Sequence, residues 1–245
     1  MPCITIHPRD IEGSSVRLRD QAAIHHLVHV LRARPGDAVD CIDGAGRRYA
    51  TRFARRAGRE LVLEITGRRD ESPSGLSIWL VQALIRPERF DWLVQKATEL
   101  GVERLTPVVT DRTVVRIPAD GAAGKVARWQ RIATEAAQQC GRATIPRIDP
   151  PARLADVVTR LPDQGVILIP TLAAHGPALR EALGGRFEAA NAAVLIGPEG
   201  DFTPEEVALA RRHGARAVSL GRRVLRSETA ALAVLAVLRH AAGEL

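Results

Sequence analysis

Two uninterrupted apolar runs constrain the fold of this chain more than any other feature of its sequence. They occupy residues 166–169 and 193–196, and the second run leads through a glycine-containing turn into a helical pattern. Continuous apolar runs of this kind are typical of parallel strands that are covered by helices on both faces. The second half of the chain is therefore predicted to be an α/β domain built on a mostly parallel sheet.

Strand and helix patterns alternate from residue 76 onwards. Strands are predicted at residues 76–84, 104–109, 166–171, 193–197 and 215–220. Helices are predicted at residues 87–100, 124–139, 151–161, 204–213 and 227–242. Thr203 and Glu206 form a capping box at one helix start, and Gly101 fits a C-terminal cap.

The first 70 residues follow a different pattern. Helical spacing predicts one short helix that carries four apolar residues, Ile24, Leu27, Val28 and Leu31. Residues 38–42 and 48–53 predict a hairpin, and residues 60–65 predict another strand. The polar run at residues 68–75 indicates a linker. We therefore expect a β-barrel-like domain at residues 1–70, a linker at 71–75 and the larger domain at 76–245.

The charge of the chain comes from an excess of arginine. The net charge is +7, from 35 basic and 28 acidic residues, and the only lysines are Lys96 and Lys125. Arginine suits bidentate contact with phosphate, so this composition fits a polyanionic partner, although a genome-wide arginine bias would produce it too. One cluster in the first domain is either a phosphate track or a solvated strand edge: Arg52, Arg55, Arg56 and Arg59.

Several classes of protein are excluded by the sequence. No run approaches the ~20 apolar residues of a membrane span, and the start lacks the pattern of a signal peptide, so we expect a cytoplasmic protein. The 3 cysteines are far apart and indicate neither a disulfide framework nor a zinc site. His25 and His29 lie four residues apart without a third ligand nearby, so no metal is expected. The tryptophans are predicted to pack in the core, and they are Trp79, Trp92 and Trp129.

Two glycine-bearing loops at successive strand ends carry the functional signal. The first is Gly197-Pro198-Glu199-Gly200, and the second begins at Gly221 and ends where a helix starts near Ser227. Ligands of open α/β sheets bind at the carboxyl ends of strands, and glycine permits close approach to the backbone. An isolated loop of this type would be an ordinary tight turn, but two together predict a cleft.

The two loops resemble the signature of a known family. The pattern Gly197-Pro198-Glu199-Gly200, followed by Leu220-Gly221-x-Arg223-Val224-Leu225-Arg226-x-Glu228-Thr229-Ala230, resembles that of the RsmE family. Members of that family are SPOUT-superfamily methyltransferases that act on uridine N3 of small-subunit ribosomal RNA. Further matches lie at residues 29–32, 35–37, 95–102, 112–115, 128–129 and 139–142. Two positions depart from the family pattern: Asp201, where glycine is usual, and His29, where arginine is common.

The resemblance implies an N-terminal PUA-like RNA-binding barrel and a C-terminal SPOUT domain with a trefoil knot. It implies S-adenosyl-L-methionine as cofactor, ribosomal RNA of the small ribosomal subunit as partner, and a homodimer whose cleft includes both subunits. The residues that correspond to the cofactor loops are Thr171, Leu172, Ile196, Gly197, Pro198, Glu199, Gly200, Ser219, Leu220, Gly221, Val224 and Leu225. Apolar members of this set would pack on adenine.

The implied chemistry requires a positioned uracil whose N3 loses its proton as the methyl group arrives. The site therefore needs a cation or N–H donors near the developing anion, and a proton acceptor. We expect Arg226 to stabilise charge on the uracil oxygens, and Glu228 to orient the base or accept the proton. Alternatively, Glu228 is a first-turn acid that complements the helix dipole.

Arg9, Arg32 and Arg112 lie in segments that match the family, and we expect them to contact RNA. Two alternatives to uridine N3 methylation remain open at this point. One keeps the fold and changes the target, for example to the ribose 2′-O of tRNA. The other is a non-catalytic RNA-binding or ribosome-assembly protein. A nicotinamide dehydrogenase is excluded because the GxGxxG opening is absent.

Overall fold

The computed structural model describes residues 2–71, 75–172, 176–184 and 189–245, and it separates the chain into two units. The first unit comprises residues 1–73 together with 134–145, and the second comprises residues 74–133 and 146–245. Residues 72–74 of the predicted linker lie outside the described residues. The assignment of residues 134–145 to the first unit has no counterpart in the sequence analysis, which placed them in the second domain.

Within the described residues, the first unit contains a six-stranded sheet with the strand order β1-β4-β5-β6-β3-β2. Its strands are β1 (Cys3–Thr5), β2 (Ile11–Glu12), β3 (Ser15–Leu18), β4 (Ala38–Ile42), β5 (Arg47–Ala57) and β6 (Glu60–Asp70). β1 pairs in parallel with β4, and the other pairings are antiparallel. Alternate residues of the strands face a core that includes Val16, Leu18, Val39, Phe53 and Leu63. The predicted hairpin of β4 and β5 is confirmed.

Two predictions for the first unit are wrong in detail. Arg68–Asp70 belong to β6, because their backbones continue the ladder with β5 opposite Arg47, Arg48 and Tyr49, so the polar run does not begin a linker there. The short helix is α-helical only in α1 (Gln21–His25), and residues 26–30 form a wider π turn closed by the Leu31 N–H to the His26 carbonyl. The wider turn interrupts the predicted spacing, and Leu31 is 37% exposed.

The second unit contains a parallel sheet, which confirms the fold class. Its strands are β7 (Ser77–Ala83), β8 (Arg104–Val109), β9 (Arg147–Ile148), β10 (Ala152–Arg153), β11 (Val166–Pro170), β12 (Asn191–Ile196) and β13 (Arg216–Val218). The order is β10-β8-β7-β12-β11-β13, with β9 also paired to β8, and each of these pairings is parallel. Leu168 and Leu195 have no exposed surface, as expected of strands covered on both faces.

Helices alternate with these strands along the chain. They are α2 (Pro87–Glu99), α3 (Ala122–Cys140), α4 (Leu154–Val158), α5 (Leu179–Leu183), α6 (Pro204–Arg212) and α7 (Ser227–Ala241). The predicted helix at residues 151–161 is wrong at its start, because residues 152–153 pair with the end of β8 and only α4 is helical. Trp79 and Trp129 are buried as predicted, whereas Trp92 on α2 is 45% exposed. Within the described residues, no helix combines the length and apolar character needed to cross a membrane.

Candidate functional site

A cavity of about 470 Å³ opens at the carboxyl ends of β11, β12 and β13, three neighbouring strands. Every residue that the sequence analysis assigned to the cofactor loops lines this cavity, except Gly200. Arg226 lines it too. The lining residues that were not among the predicted site residues are Pro170, Gly176, Asp201, Arg223, Ser227 and Ala230. The structure therefore brings the three predicted loops together around one space.

The loop after β12 is a tight turn that leads directly into α6. The Asp201 N–H donates to the Pro198 carbonyl at 3.0 Å, and Thr203 caps α6 through the predicted capping box with Glu206. A Cβ at Gly197 would lie 3.2 Å from the Phe202 amide nitrogen, so a larger residue would crowd the turn. Phe202 is fully buried in the core of the second unit and fixes the far side of the turn.

Arg112 holds the same turn from outside. Its Nη1 donates to the Gly200 carbonyl at 2.8 Å and to the Phe202 carbonyl at 3.3 Å. The neighbouring Asp111 N–H donates to Glu206, which joins the same segment to the first turn of α6. The predicted RNA contact of Arg112 stays a prediction, and the structure adds that this exposed arginine touches the cofactor-loop backbone.

A buried hydrogen-bond chain anchors the start of α7 to the same turn. The Ser227 hydroxyl donates to the Gly197 carbonyl at 2.5 Å and accepts a hydrogen bond from Gln82 Nε2 at 2.8 Å. Gln82 lies in β7 and has no exposed surface. The sequence analysis assigned no role to either side chain. The polar Ser227 stands between a strand-end loop and an apolar helix, and this position could have indicated that its hydroxyl bonds to the loop.

The loop after β13 forms another wall. Gly221 adopts φ +101°, where other residues are strained, and its N–H donates to the Ser219 hydroxyl at 3.2 Å. Val224 is 75% exposed, and Leu172, on the loop after β11, is 62% exposed. Two large apolar side chains at the mouth of a cavity provide a surface for a flat apolar group.

The two predicted catalytic residues have different surroundings. Arg226 is the residue before α7 and lines the cavity. Glu228 lies in the first turn of α7 and is 7% exposed, and it is not a lining residue. Its Oε1 lies 3.7 Å from Arg89 Nε on α2, and within the described part of the chain its Oε2 has no hydrogen-bond partner.

The remaining predicted RNA contacts lie in the first unit. Arg9 is exposed in a short 3-10 turn at residues 8–10. Arg32 is exposed beyond the π turn and adopts φ +55°. Among the described residues, no cluster of three or more His, Cys, Asp or Glu side chains could hold a metal ion.

Comparison with known proteins assigns the family. Residues 71–239 match the RNA methyltransferase domain family, and residues 18–66 match the RNA methyltransferase PUA domain family. A ribosomal RNA small subunit methyltransferase E from Synechocystis is 32% identical and covers 95% of this chain and 75% of its own length. The Bacillus subtilis protein of that name is 28% identical, and the match covers 89% of this chain and 87% of the Bacillus protein.

A solved structure gives the same result. The ribosomal RNA small subunit methyltransferase E of Neisseria gonorrhoeae, crystallised with S-adenosyl methionine, is 32% identical with a TM-score of 0.86. The match covers 98% of this chain and 97% of the gonococcal chain. Family match, sequence identity and fold therefore agree along nearly the whole length, and this chain belongs to the ribosomal RNA small subunit methyltransferase E family.

Proposed function

We propose that this chain transfers a methyl group from S-adenosyl-L-methionine to N3 of a uridine in the RNA of the small ribosomal subunit. The observation that carries the proposal is the cavity at the ends of β11, β12 and β13, in a chain of this family. The relatives are named as methyltransferases of small-subunit ribosomal RNA, and the gonococcal structure holds S-adenosyl methionine.

The residues around the cavity fit this cofactor. Its volume of about 470 Å³ falls in the range of ~300–1,000 Å³ that is usual for small-molecule sites. Leu172 and Val224 offer apolar surface to an adenine ring, and Gly197 and Gly221 line the cavity, where their backbones can meet its polar edge. Glu199 adds a carboxylate to the lining, which suits a cofactor that carries a sulfonium and an ammonium group.

The chain itself has to position uracil and stabilise its developing charge. The bound cofactor supplies an electrophilic methyl group, so the nucleophile is N3 once its proton leaves. Arg226 faces the cavity, and we assign it to the uracil oxygens, where negative charge accumulates. The Ser227 hydrogen bonds to Gly197 and Gln82 anchor the backbone next to Arg226, which limits its motion.

Glu228 is proposed to orient the base or to accept the N3 proton. Its buried Oε2, without a partner in the described structure, has free acceptor capacity, and its Oε1 lies 3.7 Å from Arg89 Nε. The test is Glu228→Gln. Slower methyl transfer with unchanged affinity for S-adenosyl-L-methionine supports this role, whereas unchanged turnover leaves Glu228 as an acid that complements the dipole of α7.

Some arginines of the first unit form ion pairs with acids, and others are exposed without one among the described residues. The paired arginines are Arg17, Arg19, Arg47, Arg48, Arg68 and Arg69. Arg32, Arg34 and Arg52 are exposed, and no ion pair of theirs is found within the described residues. Arg52 Nη1 donates to the Gly36 carbonyl at 2.6 Å, which brings β5 beside the loop that carries the other two. We call these three arginines the basic patch and propose that it binds RNA phosphates.

The basic patch is tested by the salt dependence of RNA binding. Removing one phosphate contact lowers the slope of log affinity against log salt by about 0.7–0.9. We expect Arg52→Gln to show this change on transcribed small-subunit RNA. Arg17→Gln is the matched control, because Arg17 already pairs with Glu12 at 2.8 Å. Equal slopes for the wild type and Arg52→Gln would remove Arg52 from the interface.

We also propose a homodimer, as the family resemblance implies. Trp92 on α2 and Val237 on α7 are 45% and 38% exposed, and α2 packs against α7. A second copy would cover this apolar surface. Sedimentation of the wild type should show a dimer, and Trp92→Glu should shift it towards the monomer. A monomeric wild type at micromolar concentration would contradict the proposal.

The methylation itself is tested in cells with and without this protein. N3-methyluridine blocks the Watson–Crick edge, so reverse transcription of small-subunit RNA should stop at one uridine only when the protein is present. Nucleoside mass spectrometry should identify the base as 3-methyluridine. A 2′-O-methylated nucleoside would instead indicate another target chemistry. Identical stops in both strains, with no binding of S-adenosyl-L-methionine in calorimetry, would indicate a non-catalytic RNA-binding protein.

A further inference from the structure

Asp201 ends the cofactor turn in an uncommon backbone conformation. Among the described residues other than glycine, positive φ occurs at Arg32 and at Asp201, where φ is +61°. Left-handed backbone is costly for most residues and is tolerated best by aspartate and asparagine, whose short polar side chains bond locally. The Asp201 N–H closes the turn on the Pro198 carbonyl, so the conformation is fixed by the turn itself.

The Asp201 side chain leaves its own loop and reaches the loop after β11. Oδ2 accepts hydrogen bonds from the Thr171 hydroxyl at 2.9 Å and from the Leu172 N–H at 2.7 Å. Oδ1 accepts a third hydrogen bond from the Phe202 N–H at 2.8 Å. A single carboxylate thus joins two cavity walls that are 29 or 30 residues apart in sequence.

The bond to Leu172 bears on the cofactor cavity. Leu172 lies just beyond the end of β11, and 62% of it is exposed, so little packing fixes its side chain. Its N–H donates instead to a charged acceptor, and such hydrogen bonds are roughly twice as strong as neutral ones. Asp201 therefore determines where this exposed apolar wall lies relative to the turn after β12.

We propose that Asp201 is a positioning residue that holds the Thr171–Leu172 wall in its binding position before S-adenosyl-L-methionine arrives. This inference rests on the proposed function. A wall that is ordered on folding does not have to be ordered on binding, and preorganisation of this kind raises affinity. Asp201 acts through Leu172 and is expected to influence cofactor affinity more than the chemical step.

The hydrogen-bond partners of Asp201 favour a carboxylate over an amide at this position. All three partners are donors, namely two backbone N–H groups and the Thr171 hydroxyl. Asparagine would offer one oxygen and one NH₂ group, so its NH₂ would face at least one N–H donor. Asp201→Asn should therefore keep the turn and weaken the link, whereas Asp201→Gly keeps the positive φ and removes the link entirely.

The first measurement is hydrogen exchange of the cofactor-free protein. We expect the Leu172 amide to exchange at least about tenfold faster in Asp201→Gly, because its acceptor is gone, with an intermediate rate in Asp201→Asn. Glu205→Gln is the matched control, since it removes an exposed carboxylate four residues away on α6. Unchanged exchange at Leu172 in Asp201→Gly would overturn the proposal.

The second measurement is cofactor binding and turnover. Calorimetry should give a dissociation constant for S-adenosyl-L-methionine that is about tenfold higher in Asp201→Gly, as expected if one loop residue must be ordered on binding. KM for the cofactor should rise in Asp201→Gly, while kcat should stay within about twofold of the wild-type value. Glu205→Gln should match the wild type in both constants. An unchanged dissociation constant in Asp201→Gly would refute the positioning role. A wild type that binds no S-adenosyl-L-methionine would instead refute the proposed function.

Discussion

Replacing Ser227 with alanine should destabilise the second unit by about 2 kcal/mol. The change removes the hydroxyl that donates to the Gly197 carbonyl and accepts from Gln82 Nε2, and Ser227 and Gln82 are both buried. Gln82 Nε2 keeps its bond to the Ala83 carbonyl, so its amide remains partly satisfied. The estimate is about 1 kcal/mol for each lost hydrogen bond, and an orphaned buried carbonyl costs about 1–3 kcal/mol.

Urea unfolding followed by tryptophan fluorescence measures this effect selectively. All 3 tryptophans, Trp79, Trp92 and Trp129, belong to the second unit. A loss of about 2 kcal/mol should also lower Tm by roughly 4–8 °C. Ser77→Ala is the matched control, because Ser77 is exposed at the start of β7, and its change should stay within about 0.5 kcal/mol.

A double-mutant cycle separates the network from the loss of a single side chain. Gln82→Met removes the amide, whose Oε1 is buried without a hydrogen-bond partner in the described structure. The combined change of Gln82→Met and Ser227→Ala should destabilise by about 1 kcal/mol less than the sum of the single changes. Strict additivity, or a Ser227→Ala protein within about 0.5 kcal/mol of the wild type, would refute the reasoning.

Three further changes test other parts of the structure. Arg48 donates to Glu71 at 2.5 Å, which lowers the pKa of the Glu71 carboxyl below its usual 4.5. The pair therefore stabilises the folded chain above pH 4.5, and this contribution is lost as the pH falls through the lowered pKa. Acid unfolding followed by circular dichroism should therefore be less steep in Glu71→Gln, and an unchanged profile would contradict the pair. A Cβ at Gly176 would lie 2.4 Å from the Ala217 carbonyl oxygen, so Gly176→Ala should weaken S-adenosyl-L-methionine binding at least about tenfold in calorimetry, while Gly124→Ala, with open space in α3, should not. Thr203→Ala should cost about 1 kcal/mol in urea unfolding through loss of the α6 cap, and Thr203→Ser should restore most of it.

Local patterns predicted the elements that depend on local physics. The apolar runs that became β11 and β12 are continuous because helices cover both faces of those strands, and no distant residue is needed to see this. The capping box of Thr203 and Glu206 satisfies N–H groups of the same helix turn. Glycines at 197 and 221 indicated loops where a ligand approaches the backbone. These signals located the three walls of the cavity.

Predictions failed where a distant strand decides the local conformation. Residues 152–153 carry a helical pattern, but they pair with the exposed edge of β8 and stay extended. Arg68–Asp70 are polar and near turn formers, yet the ladder with β5 continues through them because both faces of that strand end can remain solvated. Trp92 is large and apolar, but it lies on the exposed face of α2, whereas Phe90 and Leu93 of the same helix are buried. Propensity alone contains none of these contacts.

The α/β class, the position of the cavity walls in the chain and, through the loop signature, the family all follow from the order of the amino acids. The hydrogen bonds that hold the walls together are visible only in the folded chain. Asp201 bonds to Thr171 and Leu172, and Ser227 joins Gly197 to Gln82, across separations from about 30 to 145 residues. These side chains carry no periodic signal, because a hydrogen bond depends on where two atoms meet in space and not on their spacing in the chain. Parallel strands bring their carboxyl ends to one edge of the sheet, and only there do these partners meet.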